Sequence, residues 1–423
     1  MRRERGWCDS MRLLIKYEWK KIWGSRLNQL AVLGCGLFLL FCVYSVFVQV
    51  SATDDNGKRV SGTEAMKIVK ETYAVPFPQE WADKLMKEFV DYTNRPDTSS
   101  DNEDLDYLSE EMYESYYLKN RDIFDFLRGN YGKYGVRQNL KEIFETNLGK
   151  DFYQARRENL EASTDYFVGR GLITEAQKEY WMDKDKQVTI DRFGPFESFA
   201  GWGCILQSAQ WAVLIMLLVC VGTAPVFSGD YQTGEDSLLL TMRYGKSRLV
   251  RAKILTAFLH SSSLYWGITL VYSGIFLLVL GGKGGTLPIQ LIDANIPISY
   301  ALNMWQAVLL VHLLGYGAVL IMTAFTLLLS SLLPNNYSVI IVVFLTILIP
   351  TFLYKNMGGY LWQHILALIP AKIADFSFQD YLAYTIGGKV VTLPAIAIVL
   401  YLAGSVVFAL ISARVFQHHQ VNR

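Results

Sequence analysis

The chain has 423 residues, 52% of them hydrophobic, with 40 Lys and Arg against 39 Asp and Glu. A net charge of +1 alone would fit a soluble protein of two or three domains, but the placement of the charges excludes that class. Residues 51–200 hold 30 acids and 21 bases, whereas the other 273 residues hold only 28 charged side chains. Because soluble domains are about one quarter charged, we predict a charged block set inside a membrane protein.

The tail before the first apolar run is basic and amphipathic. Within residues 11–26, the predicted helix has Lys16, Lys20 and Lys21 on one face, and on the other it carries Ile15, Trp19, Ile22 and Trp23. One interpretation is a helix along the inner membrane surface with its aromatics among the lipid headgroups. The alternative is a simple basic anchor for the first span. Translation starting at Met11 rather than Met1 would retain this segment.

Apolar runs free of Asp, Glu, Lys and Arg predict six membrane spans, since roughly 20 helical residues suffice to cross a bilayer. They are residues 27–50, 204–227, 254–280, 302–333, 337–354 and 390–413. The first run is too long for a signal peptide and lacks an A-x-A-like site, so we expect it to remain as a span. The predicted fold class is an all-α membrane protein with six transmembrane helices.

Lys and Arg in the short segments set the predicted orientation. The tail 1–26 carries eight of them and the loop 228–253 carries five, whereas the segments 281–301 and 355–389 together carry four. We therefore expect residues 1–26, 228–253 and 414–423 to be cytoplasmic. The block 51–200 and the segment 355–389 would then lie outside.

The block 51–200 is predicted to be a large, mainly helical extracytoplasmic domain between the first two spans. Helical spacing covers a stretch from Pro78 to Phe89 and another over 103–127, and Thr174 opens a capping box for a helix through Trp181. Residues 187–196 are predicted to be extended. The five cysteines all lie outside this block, so no disulfide framework is expected in it.

The sequence offers no catalytic motif. Five histidines form no H-E-x-x-H pattern, the acidic run from Asp101 lacks the glycine of a calcium loop, and Gly245-Lys246-Ser247 lacks the first glycine of a P-loop. We therefore expect a non-enzymatic chain that binds no metal or cofactor of its own. Since no charged residue lies within a span, an ion-coupled carrier is the least favoured class, and transport energy would have to come from a partner.

The loop 228–253 carries the most informative pattern. An aromatic residue and a carboxylate precede a glycine, then come a Leu-Leu pair, a Ser-Arg element and a lysine at the start of the third span. The members are Phe227, Asp230, Gly234, Leu238, Leu239, Ser247, Arg248 and Lys253. This pattern resembles the cytoplasmic loop of ABC-2 type transporter permeases, with Asp230 where the family usually has Glu and Tyr244-Gly245 in place of the usual proline. The order of acidic, apolar and basic residues also suits a short docked helix.

The resemblance extends in outline to the elbow helix, the six spans and an outer hairpin over 361–375 that breaks at Pro370. It implies a permease subunit in a bacterial plasma membrane, paired with a second permease subunit in contact with membrane lipid. It also implies a separate ATPase subunit, which would bind ATP and Mg and dock on the loop through Asp230, Glu235, Arg243, Lys246 and Arg248. The substrate would be a peptide, an antibiotic or a lipid, and no nucleic-acid partner is expected. The alternative function is a membrane sensor or scaffold whose outer domain binds a ligand.

Overall fold

The structure is a computed structural model that describes residues 2–54, 58–242, 244–292, 296–355 and 358–419, with side chains from residue 11 onward except that of Thr53. The chain is mostly helical, at 74%. The strands are short and form three two-stranded antiparallel pairs.

Among the described residues, five helical stretches are long and apolar enough to cross a membrane, which indicates a multi-pass membrane protein. They are Arg26–Gln49, Ala200–Thr233, Gly245–Leu280, Met304–Leu332 and Leu393–His418. A further apolar helix, Asn336–Thr351, has 16 residues and is shorter than the usual span. The prediction of several apolar membrane helices is therefore confirmed, while the count of six spans stays a prediction.

The helices of this membrane part are numbered in chain order. α1 is Arg2–Gly24 and α2 is Arg26–Gln49. After the inserted domain, the second stretch consists of α10 (Ala200–Gln207), a 3-10 turn, α11 (Ala212–Thr223) and α12 (Pro225–Thr233). The remaining helices are α13 (Glu235–Thr241), α14 (Val250–Leu280), α15 (Met304–Leu332), α16 (Asn336–Thr351), α17 (Gly359–Ala367) and α18 (Leu393–His418).

The inserted domain follows α2. Its helices are α3 (Thr63–Glu71), α4 (Gln79–Asn94), α5 (Glu110–Met112), α6 (Arg121–Tyr131), α7 (Leu140–Asn147), α8 (Phe152–Gly169) and α9 (Glu175–Asp185). Its strands β1 (Ser51–Thr53) and β2 (Arg59–Ser61) pair with each other, as do β3 (Val75–Pro76) and β4 (Arg192–Phe193). Rings packed edge-to-face build its core, among them Phe77 against Phe126 and Phe152.

Two local predictions in this domain have different outcomes. The capping box of α9 is confirmed, because Thr174 accepts from the Gln177 backbone N–H while the Gln177 side chain accepts from that of Thr174. The helical spacing over 103–127 is confirmed only in part, because the chain is helical from Glu110 onward but not at the start of this stretch. Asp106 and Tyr107 have positive φ values of 49° and 65°, which end the first turn, and short helical pieces follow before α6 begins at Arg121.

The inserted domain rests on the segments that connect the membrane helices at one end of the bundle. The indole N–H of Trp181 donates to the Tyr381 carbonyl at 2.7 Å, and the Gln177 side chain donates to that of Ala383 at 2.5 Å. Arg156 is buried, pairs with Asp185 at 2.8 Å and donates to the Ile298 carbonyl at 2.7 Å. The domain is therefore fastened to the bundle at several points.

The segment 355–389 contains more than a helical hairpin. The break at Pro370 is present, since α17 ends at Ala367 and a 3-10 helix runs over Pro370–Asp375. Strands β5 (Ala383–Ile386) and β6 (Lys389–Thr392) then form a hairpin whose turn is made by two glycines with positive φ. The predicted span 390–413 therefore begins too early, because residues 390–392 belong to β6 and α18 starts at Leu393.

Candidate functional site

A cluster of opposite charges lies at the end of the bundle away from the inserted domain. We call Glu18, Lys21, Asp230, Glu235 and Lys253 the charge cluster. The Lys253 ammonium lies 3.1 Å from a Glu18 carboxylate oxygen and 3.0 Å from Asp230 Oδ2, and it donates to the Val226 carbonyl at 3.0 Å. The Lys21 ammonium donates to Asp230 Oδ1 at 2.6 Å and to Glu235 at 3.3 Å. The cluster thus joins α1, α12, α13 and α14.

The centre of the cluster is withdrawn from solvent. Asp230 is 0% exposed and Lys253 is 1% exposed, whereas the Lys21 side chain is 48% exposed. The contact of Lys253 with Asp230 Oδ2 satisfies the distance of an ion pair without the alignment of a hydrogen bond. Partial burial opposes the charge of Lys21, but its hydrogen bond to Asp230 and the attraction of nearby carboxylates prevail and raise its pKa.

Two glycines shape the loop that carries these residues. Gly234 has φ of +70°, a left-handed conformation that ends α12 and lets α13 start in a new direction. A Cβ on Gly245 would lie 1.6 Å from the Leu239 carbonyl oxygen, so only glycine fits where the chain passes back over α13. The loop is therefore folded tightly onto the helix ends rather than extended.

The end of α18 closes the other side of this loop. The ring of Phe416 packs against Phe227 at 4.8 Å and against Tyr231 at 5.8 Å between centroids. The Gln417 side chain donates to the Lys246 carbonyl at 2.7 Å. These contacts hold the loop against α18, whose other end follows the β5–β6 hairpin that contacts the inserted domain.

The outward side of the loop is apolar and basic. Leu238, Met242 and Tyr244 are 61%, 50% and 43% exposed. The Arg248 guanidinium lies 4.2 Å from the centroid of the Tyr244 ring, a cation–π distance, and Lys246 is exposed beside it. Exposed apolar groups rimmed by polar ones are typical of a surface that binds another macromolecule.

The two tryptophans of α1 contact the protein, while the placement of this helix along the membrane surface stays a prediction. The Trp23 and Trp19 rings lie 5.1 Å and 6.3 Å from the His260 ring of α14. Ile15 is half-buried, and the exposed face of α1 carries Lys16 and Lys20. The helix therefore packs through its aromatic stripe, because those rings fill the space between α1 and α14.

The structure brings together only some of the residues selected from the sequence. Asp230, Glu235 and Lys253 meet in the charge cluster, and Lys246 and Arg248 share the outward side of the loop. Pro370 belongs to the segment after α16 that contacts the inserted domain, and Arg243 lies outside the described residues. The remaining selected positions are Phe227 in the loop core, Gly234 at its turn, and Ile15, Trp19 and Trp23 on α1.

Glu18 and Lys21 were missed by the sequence analysis. Their spacing of three residues on a helix was the available signal, since such a pair shares a face, but nothing identified partners more than 200 residues away.

Across the described ranges, no group of three or more His, Cys, Asp or Glu side chains is placed to hold a metal ion.

The fold and the site define a multi-pass, mainly helical membrane protein. It has an inserted domain at one end, and at the other end a loop that the charge cluster holds to the membrane helices. Compared with protein-family models, curated proteins and solved structures, the chain matches none.

Proposed function

We propose that this chain is the permease subunit of an ATP-driven transporter of the ABC-2 type, powered by an ATPase on a separate chain. Its loop, residues 228–253, is the docking surface for that ATPase. The observation that carries the proposal is the outward side of this loop, where exposed Leu238, Met242 and Tyr244 adjoin basic Lys246 and Arg248. Apolar anchors beside bidentate-capable arginine are the usual elements of a specific protein interface.

The charge cluster gives such a docking surface a mechanical role. A displacement of α13 would move α12 through Gly234. The ion pairs of Asp230 with Lys253 and Lys21 would transmit this displacement to α14 and α1. Separating buried opposite charges is costly, so these helix ends would move as one unit. ATP binding and hydrolysis on the partner would then reorient several membrane helices together.

The same proposal sets the orientation and the assembly. The α1 end, which bears eight Lys and Arg in its first 26 residues, faces the cytoplasm of a bacterial cell, and the inserted domain faces outward. A second permease subunit, identical or related, pairs with this one in the plasma membrane. A peptide, an antibiotic or a lipid is exported or extracted between the two subunits.

The test is co-purification from native membranes in a mild detergent. The wild-type chain is expected to bring down an ATP-hydrolysing subunit, and the double variant Lys246→Glu with Arg248→Glu is expected to lose it. The matched control reverses two exposed bases on α1, Arg12→Glu with Lys16→Glu, and is expected to retain the ATPase. Loss in both variants would indicate a general charge effect, and no ATPase with the wild type would reject the proposal.

A sensor is the second candidate, favoured by the fastening of the inserted domain to the membrane helices. Trp181 holds Tyr381, just before β5, and Gln177 holds β5 itself, so a ligand on the domain could shift the β5–β6 hairpin and with it α18 and the loop. Deletion of residues 63–191 separates the two functions. A sensor would lose its response entirely, whereas a transporter would keep basal stimulation of its ATPase.

A further inference from the structure

A cavity lies where the inserted domain meets the membrane helices. Its volume is about 310 Å³, at the lower end of the range for sites that enclose a small ligand. Phe126 lines it from α6, Phe193 and Phe196 line it from the chain that leads into α10, and Leu291 and Ile292 line it from the segment between α14 and α15. Three parts of the molecule therefore share one wall, in which aromatic rings lie beside polar groups.

The polar part of the lining is one face of α6, with Asp122, Asp125 and Arg128. Arg128 is already engaged, since its guanidinium donates to Asp106 at 3.0 Å and lies 3.6 Å from Asp125. Asp125 also contacts Arg121 at 3.5 Å. Asp122 accepts from the Phe196 backbone N–H at 3.2 Å, and among the described residues no cation lies within ion-pair distance of it.

The balance of charge at this cavity is therefore negative. Two carboxylates, Asp122 and Asp125, and one arginine, Arg128, line it, and the exposed Asp122 is the carboxylate without a paired cation among the described residues. Burial is the largest influence on Asp125 and raises the pKa of its carboxyl, although Arg128 and Arg121 oppose that shift. Additional positive charge beside these carboxylates would be favourable, and the Phe196 ring, which is only partly buried, would accept a cation or an apolar group.

We propose that this cavity binds a small organic cation, with its charged nitrogen at Asp122 and its apolar body among Phe126, Phe193 and Phe196. An anion is disfavoured because Arg128 is neutralised by Asp106 and Asp125. Since the lining comes from the inserted domain, the entry to α10 and the segment before α15, a bound cation joins all three. This binding goes beyond the proposed function and requires no ATPase.

The test measures binding to the full-length chain in detergent by calorimetry, with empty micelles as the blank. The probe is 2-phenylethylammonium, compared with neutral 2-phenylethanol and the anion 3-phenylpropanoate, which share its phenyl ring. The expected result is saturable binding of the cation, with Kd at least about 10-fold lower than for the other two. Equal binding of all three, a preference for the anion, or no saturable binding of the cation would overturn the proposal.

Asp122→Asn assigns the site, because the amide oxygen still accepts from the Phe196 N–H while the charge is lost. We expect it to weaken cation binding by about 10-fold or more. Asp104→Asn makes the same charge change on an exposed residue of the same domain and should leave Kd unchanged. Equal weakening by both variants, or by neither, would refute the assignment to this cavity. A failure here with a retained ATPase would leave the proposed function intact.

Discussion

Replacing Lys253 with methionine tests whether the charge cluster holds the helix ends together. The methionine fills a similar volume, but it leaves Glu18 and Asp230 without the ammonium that lies 3.1 and 3.0 Å from them. Removing one partner of a buried ion pair costs about 3–5 kcal/mol. Because Asp230 keeps Lys21 at 2.6 Å, we expect the lower part of that range, about 3 kcal/mol.

The assay is unfolding of the purified chain in mixed detergent micelles, followed by tryptophan fluorescence, since the chain has 10 tryptophans. Lys20→Met is the matched control, because Lys20 is exposed on α1 and should change stability by less than about 0.5 kcal/mol. The double variant Lys253→Met with Asp230→Asn also removes the charge of Asp230, the more deeply buried of the two carboxylates. It should be no less stable than Lys253→Met alone, a coupling of about 2 kcal/mol or more between the two positions.

Either of two results would refute this reasoning. One is a Lys253→Met variant as stable as the Lys20→Met control. The other is a double variant whose loss equals the sum of the single losses, because additivity means that the two groups do not interact in the folded protein.

The remaining predictions use the same unfolding assay. Gly245→Ala should destabilise the chain by about 1–3 kcal/mol, because its Cβ would collide with a backbone oxygen of α13. Gly267→Ala is the control and should not destabilise the chain, since a Cβ there meets open space. Equal effects of the two variants would contradict the close approach of Gly245 to α13. Arg156→Met should lower the free energy of unfolding by about 3–5 kcal/mol, because it leaves the buried carboxylate of Asp185 without its partner. The control Arg157→Met changes an exposed residue and should be nearly neutral. A larger loss with Arg157→Met than with Arg156→Met would contradict the buried ion pair. Burial lowers the pKa of His364 below its ordinary value of 6.5, although hydrogen bonds to two backbone carbonyls oppose that shift. The free energy of unfolding should therefore fall as the pH drops through and below 6.5, and His364→Gln should make that fall less steep. An unchanged pH dependence in His364→Gln would exclude His364 as its source.

The sequence was sufficient for the membrane helices because their signal is a long run without charge. It failed at residues 390–392, where Val-Val-Thr fits a strand as well as a helix, and the preceding Gly387-Gly388 pair was the turn signal that separates the two. The helical stretch over 103–127 was only partly correct for a related reason. Its apolar spacing is real, but a left-handed conformation at Asp106 and Tyr107 interrupts it, and residue spacing carries no sign of that.

Within the site, the sequence identified Asp230 and Lys253 separately, and their contact required the fold. Glu18 and Lys21 looked like part of a basic tail because their partners are remote in the chain, and such pairing has no local pattern. The aromatic stripe of α1 was equally ambiguous, since amphipathic spacing gives the same pattern against lipid and against protein. In the structure both tryptophans lie beside His260, a buried ring in α14.

The position of the charge cluster also follows from the cost of charge in a membrane. The predicted spans contain no Asp, Glu, Lys or Arg, so ion pairs that fix one helix against another can form only where the helices end. At the α1 end, one lysine meets two carboxylates from different helices, and a second lysine from α1 meets the shared aspartate. Helix α1 is therefore tied to the same point as α12 and α14, and a partner that moves the loop has to move α1 with it.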